Sequence, residues 1–343
     1  MAALLLVILS AVAFRANGNT EIDNPTAYTI AILPFADYAG ETTGENILMP
    51  LIRSRIAESG FNVVDSDTLR QVLRKNRIRT FGSINSAEAA TIADELDVNF
   101  ILLGSIDVFL ENEIPEAGFS ARLLDTRNMR IFWAVSEAAS GDDFTGLLGI
   151  GQIRQADRLA EKLVENAFKN FEKSIYDYMK QSEAIKKSPT IALVTFDNLS
   201  GQKFAGDVIT TFMLTEFIDR GVGVIEPGTV NELFRSQNRA LRGEIDYEML
   251  AQLRSHLNVD YVITGNVNLF KAGMAGVEGS GPEVEFDGRC LDSESGRIIG
   301  AYEFSRRGTN SSALLHSGSS NSLGELSRRA VDDFVKKVEK DIR

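Results

Sequence analysis

The chain has 343 residues and carries 36 Lys and Arg against 48 Asp and Glu, a formal charge of −12 that repels polyphosphate and argues against nucleic acid as a partner. Its one cysteine, Cys290, excludes an internal disulfide and a cysteine-rich metal site, and its two histidines, His256 and His316, leave little scope for histidine-dependent chemistry. The length suits two domains, at about 150 residues each.

Met1 to Phe14 form an apolar run of signal-peptide length, too short to span a bilayer, with Ala11-Val12-Ala13 supplying the small residues of a cleavage site. Residues 1–20 are therefore expected to be a signal peptide, although no Lys or Arg precedes the apolar core. No cysteine lies near the cleavage region, so a lipid anchor is not expected. No other stretch approaches 18 apolar residues, which excludes a helical membrane protein.

The rest of the chain reads twice. An offset of 161 sets Ile30–Phe35 on Ile191–Phe196, Gly60–Val64 on Gly221–Ile225, and Val98–Gly104 on Val259–Gly265. Beyond an insertion of six residues the offset becomes 167, pairing Leu124 with Leu291, Arg130 with Arg297 and Val164 with Val331. In each copy a short apolar strand leads into a helix striped at Leu48, Ile52 and Ile56, or at Ile209, Met213 and Phe217. A second strand (Phe61–Val64; Val222–Ile225) precedes a helix begun by Thr68 or Thr229. A third helix carries Ile92 and Leu96, or Leu253 and Leu257, and leads into the strand ending at Gly104 or Gly265. Two further strands follow, with turns at Asp125–Asn128 and Asp292–Gly296. A long amphipathic helix closes each copy, with Leu159, Leu163, Ala167 and Phe171 answered by Leu326, Ala330, Phe334 and Val338.

The order β-α-β-α-α-β-β-β-α predicts an α/β fold: two tandem copies of a mixed β-sheet module covered by helices. The expected modules are residues 21–187 and 188–343, with Ser188-Pro189 opening the second.

The strings IAILPF with Asp37 and Gly40, then VVDSDTLRQVL, then VNFILLGSIDVF resemble the periplasmic module of the curli secretion channel family, CsgG. IALVTFDNLSG, GVIEPGTVNELF and VDYVITGNVNLF repeat the likeness, so it covers nearly all of the mature chain. Related modules occur in the N-terminal domain of TolB, in flagellar envelope accessory proteins and in lipoproteins that activate peptidoglycan synthases. The resemblance implies a periplasmic or outer-membrane-associated protein that assists assembly or secretion of a cell-surface structure through protein–protein binding. Its alternatives are a regulator of a peptidoglycan synthase and a small-ligand-binding envelope sensor. It leaves room for peripheral association with the outer membrane and for a homo-oligomer.

Two departures from the channel members stand out: the lipidation cysteine is missing, and the stretches 135–155 and 303–325 lack the alternation of a membrane hairpin. An accessory protein is therefore expected, not a pore.

The loops after the first strand of each copy, Phe35–Gly40 and Phe196–Gly201, are where ligands often meet α/β sheets. Asp37, Gly40, Asn198 and Gly201 are thus the candidate ligand or partner residues, with side-chain turns and positive-φ glycines as the plainer account of the same residues. Gly149-Ile150-Gly151 lacks the third glycine of a dinucleotide fingerprint. His316 lies in a Ser-rich loop without a third catalytic partner, His256 is expected on a solvated helix face, and Cys290 is expected as a small core hydrophobe. Glu111, Glu113, Glu116 and Asp142-Asp143 read as solvated loop charge in preference to a weak metal site. No catalytic residue, cofactor or metal is expected.

Overall fold

The computed structural model describes residues 27–40, 42–145, 151–180, 188–236, 245–273, 280–308 and 322–343. The expected signal peptide, Gly149-Ile150 and the His316 loop lie outside the described residues. The first half runs β1 (Thr29–Ile32), β2 (Ala36–Asp37), α1 (Thr42–Glu58), β3 (Asn62–Val63), α2 (Ser66–Lys75), α3 (Ser86–Leu96), β4 (Phe100–Leu110), β5 (Glu116–Asp125), β6 (Arg130–Ser140), α4 (Ala156–Ala167) and α5 (Phe171–Lys180). The second half repeats it as β7 (Thr190–Leu193), β8 (Asp197–Asn198), α6 (Ala205–Asp219), β9 (Gly223–Val224), α7 (Pro227–Arg235), α8 (Tyr247–Leu257), β10 (Tyr261–Lys271), β11 (Glu283–Asp292), β12 (Ile298–Arg307) and α9 (Leu323–Ile342).

Each half builds one six-stranded mixed sheet, ordered β3-β1-β4-β5-β6 with β2 on β4, and β9-β7-β10-β11-β12 with β8 on β10. The first strands pair in parallel and the last three antiparallel, as an α/β opening followed by two hairpins requires. The repeat extends to irregularities. A register shift between Ile106 and Val108 recurs between Val267 and Leu269, and one between Leu123 and Leu124 recurs between Cys290 and Leu291. Bulges re-aim side chains, so their retention keeps both sheets presenting the same positions on the same faces.

The two-residue strands β2 and β8 escape sequence reading because they are too short to show alternation. The closing helix expected in the first copy is two helices, α4 and α5, joined through the buried Phe168.

The layers stack. Helices α1, α4 and α5 cover one face of the first sheet in a cluster that includes Leu48, Ile52, Trp133, Leu163 and Phe171. Helices α6 and α9 lie between the two sheets, packing against β6 on one side and against β10, β11 and β12 on the other. A single hydrophobic cluster therefore runs from Ala31 and Ile101 of the first half to Phe286 and Phe334 of the second. Helices α7 and α8 cover part of the far face of the second sheet, around Val230, Phe234 and Leu253. Cys290 is fully buried in the shared cluster, and burial pushes its thiol up to about 12.

Candidate functional site at the seam between the repeats

Where α6 and α9 meet the first sheet, the fold buries ionisable groups. Arg122 projects from β5, and Glu226 stands at the N-terminal cap of α7, 104 residues later. Arg122 Nε donates to Glu226 Oε2 at 2.7 Å and its Nη2 donates to Glu226 Oε1 at 2.6 Å, a bidentate pair with both side chains under 5% exposed. Nη2 also donates to the Gly82 carbonyl at 2.6 Å, and the Ile84 amide donates to Glu226 Oε1 at 3.3 Å. Burial works against the Arg122 charge, but the field and hydrogen bonds of Glu226 outweigh it and hold the guanidinium above its ordinary range.

Two more carboxylates are buried in the same seam. Asp107 accepts hydrogen bonds from Ser105 and Ser120, each at 2.6 Å, and the hydroxyl chain continues through Ser136 to Thr215 of α6. Desolvation raises its carboxyl to about 7 against the pull of both serines. Glu116 accepts from Ser322 Oγ at 2.8 Å and from the Gly324 amide at 3.2 Å, so a carboxylate of the first repeat caps the last helix of the second. Desolvation raises it as well, to about 7. Glu116 is thus a structural group at a helix N-terminus; the solvated loop charge expected of it does not hold, because the second repeat covers it. His256 is exposed, as its helix position implied.

Glycines let the backbones meet. A Cβ on Gly228 would run into the backbone of Ile84, and one on Gly324 would stand 2.6 Å from the Ala138 Cβ. A cavity of about 340 Å³ opens beside this contact, lined by Tyr38, Phe81, Arg79, Asp207, Asn231 and Arg235 among others.

Of the loops singled out by sequence, the first reaches the seam through Tyr38, which packs on Phe204, and the second carries the exposed Leu199. Asp37 Oδ1 accepts from the Gly40 amide at 2.8 Å, and Gly40 has φ +78°. Asn198 Oδ1 accepts from the Ser200 amide and hydroxyl, its Nδ2 donates to the Gln202 carbonyl, and Gly201 has φ +77°. Asp37 and Asn198 are not brought together: each closes its own turn. The polar seam groups that sequence reading missed are Arg122, Glu226 and Asp107, and the available signal was α6, where Val208, Phe212, Leu214 and Ile218 extend the apolar surface beyond the stripe of Ile209, Met213 and Phe217. Among the described residues no group of three or more His, Cys, Asp or Glu is placed to hold a metal ion, and no helix is long and apolar enough to cross a membrane.

No protein family matches the sequence, and no curated protein matches it. Among solved structures it is similar to the PelC dodecamer from Paraburkholderia phytofirmans, at 16% identity over 46% of this chain and 91% of that one, with a TM-score of 0.30. It is also similar to lipoprotein GNA1162 from Neisseria meningitidis (13% identity, 45% and 99% coverage, TM-score 0.31) and to the LpoB C-terminal domain from Salmonella enterica (14%, 34% and 86%, 0.29).

Proposed function

We propose that this chain is a non-enzymatic binding protein of the cell envelope, made of two CsgG-like modules, that assists assembly or secretion of a cell-surface structure by holding other proteins. The observation that carries this reading is where the fold uses its buried ionisable groups. Of the five buried charged side chains among the described residues, four (Arg122, Glu226, Asp107 and Glu116) tie one repeat to the other, while Asp125 bonds within the first repeat; the modules thus form a stiff two-unit body with surfaces to offer. The strand-to-helix loop of the second repeat faces outward and carries Leu199, 66% exposed, as an apolar contact next to Asn198. Two linked modules raise avidity without new chemistry.

The test has two parts. Osmotic shock should release the protein from cells, and crosslinking in the cell should trap a secretion or surface-assembly component. Recovery wholly in the cytoplasm overturns the envelope reading, and recovery of a peptidoglycan synthase replaces the secretion role with regulation of that enzyme.

The seam cavity supports a second reading, an envelope sensor of small ligands, because Tyr38 joins the Asp37 loop to its wall. A thermal-shift screen decides it, since a ligand specific to the folded state raises Tm.

A further inference from the structure

The seam has a receiving side and a giving side. The first sheet receives, with Arg122, Glu116 and the Asp107 cluster; α6, α7 and α9 give, with Glu226, Gly228, Ser322 and Gly324. Because the chain is a repeat, each side has a counterpart at the opposite end of the molecule, and the two counterparts have been treated differently.

Among the described residues the matching face of the second sheet is covered only in part, by α7 and α8, and it keeps part of the receiving chemistry. Arg289 occupies the place of Arg122, 167 residues on, and has no carboxylate partner among the described residues. Glu283 occupies the place of Glu116 and is held by Arg307 at 2.7 Å. In place of Asp107, Ser105 and Ser120 the second repeat has Asn268, Asn266 and Asp287, a different polar cluster in which the half-buried Asp287 accepts from both amides at 3.0 Å. Apolar groups mark the same face. Of the five large hydrophobic side chains exposed among the described residues, three stand at positions whose first-repeat counterparts lie in the seam. Leu199, 66% exposed, matches Tyr38, which packs on Phe204 of the second repeat at 5.5 Å between ring centres. Tyr247, 65% exposed, matches Ser86, which hydrogen-bonds Thr229 across the seam. Ile298, 54% exposed, matches Ile131, 2% exposed in the cluster that both repeats share.

The giving chemistry is lost from the first repeat. Asp65 stands where the longer Glu226 reaches Arg122, and it caps α2 instead. Asp67 and Asp157, both exposed, replace Gly228 and Gly324, the two glycines that let the backbones approach. A second copy of the chain laid on the open face in the seam's geometry would drive Asp67 into the backbone of Ile245, the counterpart of Ile84.

We propose that the open face of the second sheet, centred on Arg289, is a docking surface for the helical face of a further α/β module of this kind, carried by a different protein. That partner presents a Glu at a helix cap to pair with Arg289, a glycine two residues later, and a Ser-x-Gly helix start for Glu283. The contact is heterologous and directional, and the chain's own first repeat terminates the stack, as end units of repeat arrays do. The inference stands on the seam geometry and is independent of cellular location and of the envelope role.

The giving face can be rebuilt on the chain itself and used as the probe. In the full chain, Asp65→Glu, Asp67→Gly, Gln155→Ser and Asp157→Gly restore the four seam residues at surface positions. Sedimentation velocity should show the natural chain monomeric and the rebuilt chain associating with rising concentration. Adding Arg289→Glu should weaken that association about thirtyfold or more, the loss that follows removal of one member of a buried charge pair. A rebuilt chain that stays monomeric while its circular dichroism matches the natural protein overturns the proposal, as does association indifferent to Arg289→Glu. Arg289-dependent association of the natural chain overturns the assignment to a different protein. Should the fourfold variant fold poorly, Asp67→Gly with Asp157→Gly alone is read by the same criteria.

Discussion

Helices α1 and α6 hold the same place in their repeats and meet opposite surroundings. Helix α1 buries the stripe Leu48, Ile52 and Ile56 and shows solvent Asn46, Ser54 and Glu58. Helix α6 buries the matching stripe, Ile209, Met213 and Phe217, and also Leu214, Thr215 and Ile218 on its other side, because a second sheet lies there. The duplicated module fixes the fold, while position in the stack fixes which faces are apolar. Leu214 and Ile218 of α6 stand where α1 has Arg53 and Ala57, while the stripe beneath is apolar in both.

Removing one member of the seam's ion pair should have the largest effect on stability. Glu226→Ala leaves the Arg122 guanidinium buried without its carboxylate, which costs about 3–5 kcal/mol. Arg289→Ala, on the matching but open position, should change stability by no more than about 0.5 kcal/mol. Urea unfolding measures both. Near-equal losses would mean that the two sheets do not differ as the burial of Arg122 implies.

Leu214→Ala should cost about 2–5 kcal/mol, since it empties a buried site in the core that the two repeats share. Its counterpart Arg53→Ala removes hydrogen bonds from Nη1 to the Val64 carbonyl and from Nη2 to the Ile32 carbonyl, and should cost about 1–2 kcal/mol. Thermal or urea unfolding compares the pair, and a smaller loss at Leu214 than at Arg53 would contradict the sandwiching of α6.

Much of this was legible in advance, and the limit has a physical cause. The offsets of 161 and 167 carry β4 onto β10 and β5 onto β11 end to end, because each repeat's core is formed by local stripes and short apolar runs. The turns at Asp37 and Asn198 follow from side chains that bond the backbone two or three residues away. The seam depends on neither. Arg122 and Glu226 are 104 residues apart, and each reads alone as a surface charge; only the apolar girth of α6 signals that something covers them. Glu116 reads as solvated charge for the same reason, since its partner Ser322 lies 206 residues away.

Asp107 gives the finest comparison, because the second repeat holds Asn268 in its place. In the folded chain desolvation raises Asp107 to about 7, above its range of about 4 in the unfolded chain. Between those values the native state binds the proton more tightly. Its contribution to stability is therefore complete below about pH 4 and is lost as pH rises through about 7. Asp107→Asn keeps a group able to bond the Ser105 and Ser120 hydroxyls and removes the titration. The variant should be more stable than the natural chain at pH 8, on the order of 2 kcal/mol, and should gain nothing at pH 4. Glu116 also rises to about 7, so the variant retains a shallower slope of the same sign, and Glu116→Gln added to Asp107→Asn should flatten it further. Urea midpoints at pH 4, 6 and 8 test this. A slope unchanged by Asp107→Asn would place the charge of Asp107 in contact with water and not at the buried end of the Ser120–Ser136–Thr215 chain.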